Sequence, residues 1–154
     1  MSNETPQQPT PANELLEALG TTLSPDLLVQ ALTHRSFSHE HPGVANYERL
    51  EFLGDAVLEL VSTETLYKVH PDMNEGQLAK MRAKAVSEES LSKIAREKLH
   101  VGPYILLGHG EAEQDGADKS SILCDIVESL IGATFIQHGI DEARRVVHHL
   151  SLIH

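Results

Sequence analysis

The chain has 154 residues, of which 40% are hydrophobic, with three Phe, three Tyr and no Trp. This length suits one domain with a substantial core, and a core of Leu, Val, Ile and Ala favours helices. The formal net charge of −11 argues against a protein that holds a polyanion by overall charge alone.

We expect no membrane association, because no apolar run approaches the roughly 18 residues that cross a bilayer. The N-terminus also lacks the charged-then-apolar pattern of a secretory signal. Cys124 is the single cysteine of the chain, which excludes an internal disulfide and fits a reducing, cytoplasmic location. Its apolar surroundings favour a small buried core residue.

Residues 1–11 are polar and proline-rich, which predicts a flexible N-terminal tail and places the folded domain at residues 12–154. Asn13 is a suitable N-cap for a short helix that ends at Gly20. This part of the chain therefore predicts one helix with few other features.

A second helix start is the pair Ser24-Pro25, which places a capping residue directly before a proline at the first helical position. We expect this helix to run to about His34. The following stretch, residues 37–44, contains two histidines, a proline and a glycine, and it predicts a loop.

A long helix is predicted from about Asn46 to Val69, where His70-Pro71 ends it. Its apolar residues recur on one side, which is expected to face the core. That predicted buried face consists of Leu50, Leu53, Val57, Leu60 and Val61.

Four further helices are predicted in the second half of the chain, over about residues 74–86, 87–99, 119–139 and 141–150. The segment 108–116 contains three glycines and three acidic residues, and it predicts an exposed loop. No strand pattern and no internal repeat is apparent, so the sequence predicts an all-α fold.

Two clusters of acidic residues lie within apolar sequence on two of these helices. Glu48, Glu51 and Asp55 are spaced i, i+3, i+7, and Asp125 and Glu128 are spaced i, i+3, so each set shares one helix face. Carboxylates this close repel one another unless a cation lies between them. Hard oxygen ligands on two helices suit Mg²⁺ or Mn²⁺, so the pattern indicates a metal-dependent hydrolase.

The spacing does not define the edge of this site. Glu59 projects onto the same stripe one turn beyond Asp55, and an acidic helix face is often only a solvated surface. Phe52 lies about 40° from Glu48 on the flank of the stripe. An aromatic residue there is either a partly exposed lid or an anchor in a subunit interface.

Basic residues concentrate within residues 80–98, which hold six of the twelve Lys and Arg of the chain against three Glu. Such a segment is either an ordinary solvated helix surface or an anion-binding face.

The sequence around the acidic residues resembles the signature of the ribonuclease III family. The match includes ERLEFLGD at residues 48–55 and ALTHRS at residues 31–36. It continues through NEG at 74–76, MRA at 81–83 and KSSIL at 119–123, followed by Asp125 and Glu128. The resemblance covers about residues 12–150 in family order and spacing.

This resemblance implies the family's catalytic domain, an all-α fold that forms a symmetric homodimer and cuts double-stranded RNA with Mg²⁺, for which Mn²⁺ is expected to substitute. By motif position, the metal ligands are expected to be Glu51, Asp55, Asp125 and Glu128. Glu48, Asp55 and Glu128 are expected to act in catalysis, with Glu48 in a supporting role near the scissile phosphate. Phe52 matches the aromatic residue that inserts into the partner subunit, and Glu59 has no counterpart.

The implied reaction is hydrolysis that leaves 5′-phosphate and 3′-hydroxyl ends, with a short 3′ overhang because two symmetry-related sites cut the two strands. The implied substrates are precursors of ribosomal and messenger RNA. Because A-form RNA is recognised through its shape and 2′-hydroxyls, little base specificity is expected. Binding by so acidic a domain is expected to be weak, sensitive to salt and dependent on Mg²⁺.

Two other functions agree less well with the sequence. A carboxylate-bridged di-iron bundle needs repeated Glu-x-x-His motifs, and the motif occurs only at Glu97 to His100. A non-catalytic binding module of the same fold is disfavoured because all five acids are present. Many family members add a double-stranded-RNA-binding domain that this chain lacks. We expect the chain either to be part of a longer protein, which its abrupt end favours, or to be a shorter variant that relies on a partner.

Overall fold

A computed structural model describes residues 10–153. These residues form nine α-helices, a π-helical turn and two short 3₁₀ turns. The helices are α1 (Thr10–Leu19), α2 (Pro25–Ala31), α3 (Arg35–Glu40), α4 (Glu48–Val69), α5 (Glu75–Ala85), α6 (Glu88–Ile94), α7 (His109–Glu113), α8 (Ser120–His138) and α9 (Ile140–His149). The predicted all-α fold is confirmed for this part of the chain.

Helix α8 lies at the centre of the domain and packs against α2, α4, α6 and α9. Most of its residues from Ile122 to Thr134 are buried, which explains its continuous apolar sequence. By length and composition alone, α8 could cross a membrane, although no apolar run of that length was expected from the sequence. Core helices pass the same test, and 61% of its most apolar 18-residue window is buried inside the domain.

Two glycines allow α4 and α8 to cross at very short distance. A Cβ atom on Gly54 would overlap the carbonyl oxygen of Glu128, and one on Gly132 would overlap the carbonyl oxygen of Leu50. Both obstacles are backbone atoms, so they cannot be moved by a change of rotamer. The crossing brings the acidic face of α4 against α8.

The predicted helix starts at Ser24, Asn74 and Ser87 are confirmed by side-chain capping. The Ser24 hydroxyl accepts a hydrogen bond from the Leu27 amide, at 3.3 Å. Asn74 and Gln77 form a reciprocal capping box, with both hydrogen bonds at 2.9 Å. These caps satisfy amide groups that a helix leaves without intrahelical partners.

Two predicted boundaries are wrong, and a third helix changes its hydrogen bonding within its predicted range. Helix α1 already includes Asn13 and begins at Thr10, so Asn13 is not its cap; the rest of the predicted tail, residues 1–9, lies outside the described residues. Helix α2 ends at Ala31 and not at His34, because Thr33 forms a parallel β-bridge with Leu106. The helix predicted over residues 87–99 changes to π-helical hydrogen bonding at Ala95.

Two segments predicted as loops contain short helices. The Phe37 and His41 rings in and after α3 are stacked with centroids 3.9 Å apart, which supports a helical turn there. The start of α7 is held by Glu40, whose carboxylate accepts hydrogen bonds from the His109 amide at 2.8 Å and ring at 2.9 Å. These contacts join residues about 70 positions apart, so local sequence rules did not predict them.

The predicted buried face of α4 is wrong at one position. Leu50, Val57 and Val61 are buried and Leu53 is partly buried, but Leu60 is 58% exposed. Leu60 projects close to Tyr67 on the flank of the helix that α8 does not cover.

Candidate metal site

The four predicted metal ligands lie together where α4 crosses α8. Glu51 and Asp55 project from α4, and Asp125 and Glu128 project from α8. They meet as two pairs across the crossing, with the Glu51 carboxyl close enough to Asp125, and the Glu128 carboxyl close enough to Asp55, to share a hydrogen bond. Without a cation, a hydrogen bond between two carboxyl groups requires a shared proton.

Burial and mutual repulsion raise two of the pKa values. Burial raises the pKa of Glu128 to about 9, with further contributions from the hydrogen bond to Asp55 and the nearby negative charges. Burial also raises the pKa of Glu51 to about 7, followed by its hydrogen bond to Asp125. The site is therefore costly to ionise completely without a bound cation.

The arrangement fits a divalent cation. Among residues 10–153, no Lys or Arg forms a salt bridge with any of these four carboxylates. Together the four side chains offer eight carboxylate oxygens at the crossing, the hard donor set that Mg²⁺ and Mn²⁺ prefer. Glu51, Asp55, Asp125 and Glu128 are thus the residues that would hold the metal.

Cys124 lies closer to this site than the sequence predicted. It is only partly buried, and its sulfur lies within 4.8 Å of carboxylate oxygens of both Asp125 and Glu128. Burial, followed by the charge of Glu128, raises the pKa of the Cys124 thiol to about 12. The thiol therefore stays protonated near neutral pH, and the donor set remains one of oxygens.

Tyr47 is a site residue that the sequence analysis missed. It is buried directly before α4, and its hydroxyl donates a hydrogen bond to Oδ2 of Asp125, at 3.1 Å. Burial, followed by the charge of Asp125, raises its pKa, so the hydroxyl remains a donor. A tyrosine next to an acidic motif is no signal by itself, and only the fold joins positions 47 and 125.

Glu48 lies at the edge of the site. Its carboxylate forms a salt bridge with the Arg35 guanidinium at 2.7 Å, and both side chains are substantially exposed. It still contributes to the electrostatic field at Glu51 and Tyr47. Glu59 is separate from the site and pairs with Arg82 at 3.6 Å, as expected of a surface residue.

An exposed apolar stripe follows α4 beside the acids, and we define it by Phe52, Leu60 and Tyr67. These side chains are 83%, 58% and 73% exposed. The off-core direction predicted for Phe52 is thereby confirmed. A pocket of about 360 Å³ opens at the far end of the stripe, lined by Thr63, Leu66, Tyr67, Glu75, Leu78, Ala79 and Arg82.

The basic segment, residues 80–98, borders a groove of about 700 Å³ with an apolar floor. Lys84, Lys93 and Lys98 line it, and the Lys98 ammonium donates to the Ser151 hydroxyl at 3.0 Å. Glu97, which begins the single Glu-x-x-His motif, lines this groove and lies on neither acid-bearing helix. The di-iron alternative therefore receives no support from the arrangement.

A family model described as Ribonuclease-III-like matches residues 24–153, which is most of the chain. The chain belongs to the Ribonuclease-III-like family. It is 88% identical over 150 residues to a protein of Bifidobacterium longum named Ribonuclease 3, covering 97% of this chain and 62% of that protein. It is 52% identical to Ribonuclease 3 of Thermobifida fusca, covering 92% of this chain and 59% of that protein.

Solved structures agree with this family assignment. The nuclease domain of ribonuclease III from Campylobacter jejuni, described for flexibility in a region involved in dimer formation, matches with a TM-score of 0.83 and 40% identity. That match covers 89% of this chain and 93% of the other. Dicer from Giardia intestinalis matches with a TM-score of 0.69 at 20% identity, over 99% of this chain and 21% of that protein, which shows a common fold.

The chain spans about three fifths of the length of these Ribonuclease 3 proteins. The match supports the predicted ribonuclease III fold at the level of the family. The roles of the individual acids, and of Phe52, remain predictions.

Proposed function

We propose that this domain is a Mg²⁺-dependent endoribonuclease that hydrolyses double-stranded RNA and acts as a homodimer. The observation that carries the proposal is the pair of carboxyl contacts across the α4–α8 crossing, Glu51 with Asp125 and Asp55 with Glu128. A buried acidic group without a basic partner is costly, and a divalent ion relieves that cost.

The four carboxylates would hold the metal after losing the protons that they share. When bound, divalent ions act as Lewis acids and lower the pKa of bound water, which phosphodiester hydrolysis requires. Arg35 lies at the rim, where its exposed guanidinium can contact an RNA phosphate while it holds Glu48. Glu48 is then positioned beside the phosphate rather than among the metal ligands.

Charge sets the requirements for RNA binding. The domain has a formal net charge of −11, and the clustered acids repel phosphate until cations neutralise them. Binding should therefore require divalent metal and weaken as salt increases.

The products would carry 5′-phosphate and 3′-hydroxyl ends with a short 3′ overhang, and the substrates would include ribosomal and messenger RNA precursors. We also propose a cytoplasmic location.

The apolar stripe on α4 supports the homodimer. Along α4, Phe52 precedes the pocket-lining residues Thr63, Leu66 and Tyr67 by about 13 residues, which is about 20 Å of helix. If two α4 helices pack antiparallel across a two-fold axis near Glu59 and Leu60, each Phe52 reaches the other subunit's pocket. Such self-complementary contacts are characteristic of two-fold interfaces.

A cleavage assay tests the activity. A long RNA duplex and a single strand of the same sequence are incubated at low salt with Mg²⁺, with Ca²⁺ or with a chelator. We expect the duplex to be cut in Mg²⁺ alone. Glu128→Gln should abolish cutting, while Glu14→Gln, an exposed control on α1, should retain it. Intact duplex after incubation of the parent protein with Mg²⁺ would refute the proposal.

A further inference from the structure

Tyr47 connects the N-terminal part of the chain to the acid that α8 contributes. Its amide donates to the Thr33 carbonyl at 2.9 Å, and its carbonyl accepts from the Glu51 amide at 2.8 Å. Thr33 is itself fixed by the bridge to Leu106. The Tyr47 backbone is thus restrained on both sides, at the point where α4 begins.

The Tyr47 side chain is restrained as well. The ring is buried, and the His34 ring packs edge-on against it with centroids 6.0 Å apart and planes at 67°. The His34 ring accepts a hydrogen bond from the Ser36 amide at 3.1 Å, which fixes its orientation. The hydroxyl at the end of this supported ring donates to Oδ2 of Asp125 at 3.1 Å.

We propose that Tyr47 is a positioning residue of the metal site, whose hydroxyl orients the Asp125 carboxylate for metal binding. A hydrogen bond from a rigid donor to one oxygen of Asp125 would leave its other oxygen available to hold a cation. Partners that orient a metal ligand in this way commonly change metal affinity by 10-fold to 100-fold. The inference rests on the proposed metal site, and it adds a residue outside the acidic motifs.

The test is the affinity of the whole protein for Mn²⁺, measured by the loss of the free-ion electron paramagnetic resonance signal. Tyr47→Phe keeps the ring and removes the hydroxyl, so Mn²⁺ binding should weaken about 10-fold. Tyr104→Phe is the matched control, because no described residue hydrogen-bonds the Tyr104 hydroxyl, and its affinity should equal that of the parent. Circular dichroism melts confirm that each variant is folded.

A second comparison separates positioning from general packing. The effect of Tyr47→Phe should persist in a Glu51→Gln background and disappear in an Asp125→Asn background, since it acts through Asp125. With three tyrosines and no tryptophan in the chain, Mn²⁺ should also perturb the tyrosine absorption, and Tyr47→Phe should remove that change.

The outcomes distinguish the two proposals. If the parent protein fails to bind Mn²⁺ even at millimolar concentration, the metal site itself is refuted and this inference with it. If the parent binds Mn²⁺ and folded Tyr47→Phe binds equally well, or if its defect persists in the Asp125→Asn background, only the positioning role is refuted.

Discussion

A Gly54→Ala substitution would force apart the two helices that carry the acids. The added Cβ would overlap the Glu128 carbonyl oxygen and would lie 2.7 Å from the Glu128 carbonyl carbon and 2.8 Å from the Gly132 nitrogen. Ordinary contact begins at 3.4 Å, so relieving the contact with the carbonyl carbon alone needs about 0.7 Å, and the carbonyl oxygen, which lies closer still, requires a larger separation of the backbones. Alanine in a helix gains about 1 kcal/mol over glycine, and the overlap must exceed that gain.

We expect Gly54→Ala to destabilise the domain by about 2–3 kcal/mol, since overpacking a core against backbone costs about this much. For a domain of this size the melting temperature would fall by about 4–12 °C. The assay is thermal unfolding followed by circular dichroism in a chelator. Gly110→Ala is the control, because nothing lies within 4 Å of its added Cβ. Equal melting temperatures for Gly54→Ala and Gly110→Ala would show that the close approach of the α4 and α8 backbones does not contribute to the stability of the domain.

Three other predictions concern pH, assembly and the core. The metal-free domain should lose stability as pH rises from 5 to 8, because folding raises the pKa of Glu128 from 4.5 to about 9. The protonated Glu128 stabilises the folded state fully below pH 4.5, and this contribution is lost as the pH rises toward 9. In thermal melts with a chelator, the melting temperature of Glu128→Gln should fall less between pH 5 and pH 8 than that of the parent protein, and an equal fall would contradict this cause. Phe52→Glu should shift sedimentation toward monomer with little change in the melting temperature, and an unchanged dimer would exclude the anchor role. Ser129→Ala removes a buried hydrogen bond of 2.8 Å to the Ala31 carbonyl and should cost about 1–3 kcal/mol in urea unfolding, with no loss arguing that the bond is neutral.

The sequence predicted those features that depend on neighbouring residues. Helices α4 and α8, the helix starts at Ser24, Asn74 and Ser87, and the acidic face of each of the two long helices follow from periodicity and cap chemistry. Helix α7 was missed because the contact at its start comes from the distant Glu40, and α3 was missed because the proline, glycine and histidines around it are typical of a loop. Leu60 was misplaced because periodicity assigns a face without specifying which neighbour covers it.

In the metal site too, the features that depend on distant residues could not be predicted from the sequence. Each acid was identifiable from its spacing and from the family motif, but the cross-helix pairing of Glu51 with Asp125 depends on where Gly54 meets Gly132. Tyr47 could not be identified because its partner lies 78 residues further along the chain.

The central position of α8 has a consequence for the order in which the domain can fold. This helix supplies much of the core for α2, α4, α6 and α9, yet 119 residues precede it in the chain. A growing polypeptide therefore presents uncovered apolar faces on α4 and α6 until α8 has been synthesised. Contacts between segments about 70 residues apart also slow folding relative to a bundle of sequential helices. Fragments that end before Ser120 should consequently fail to fold cooperatively and should bind chaperones that recognise exposed apolar segments.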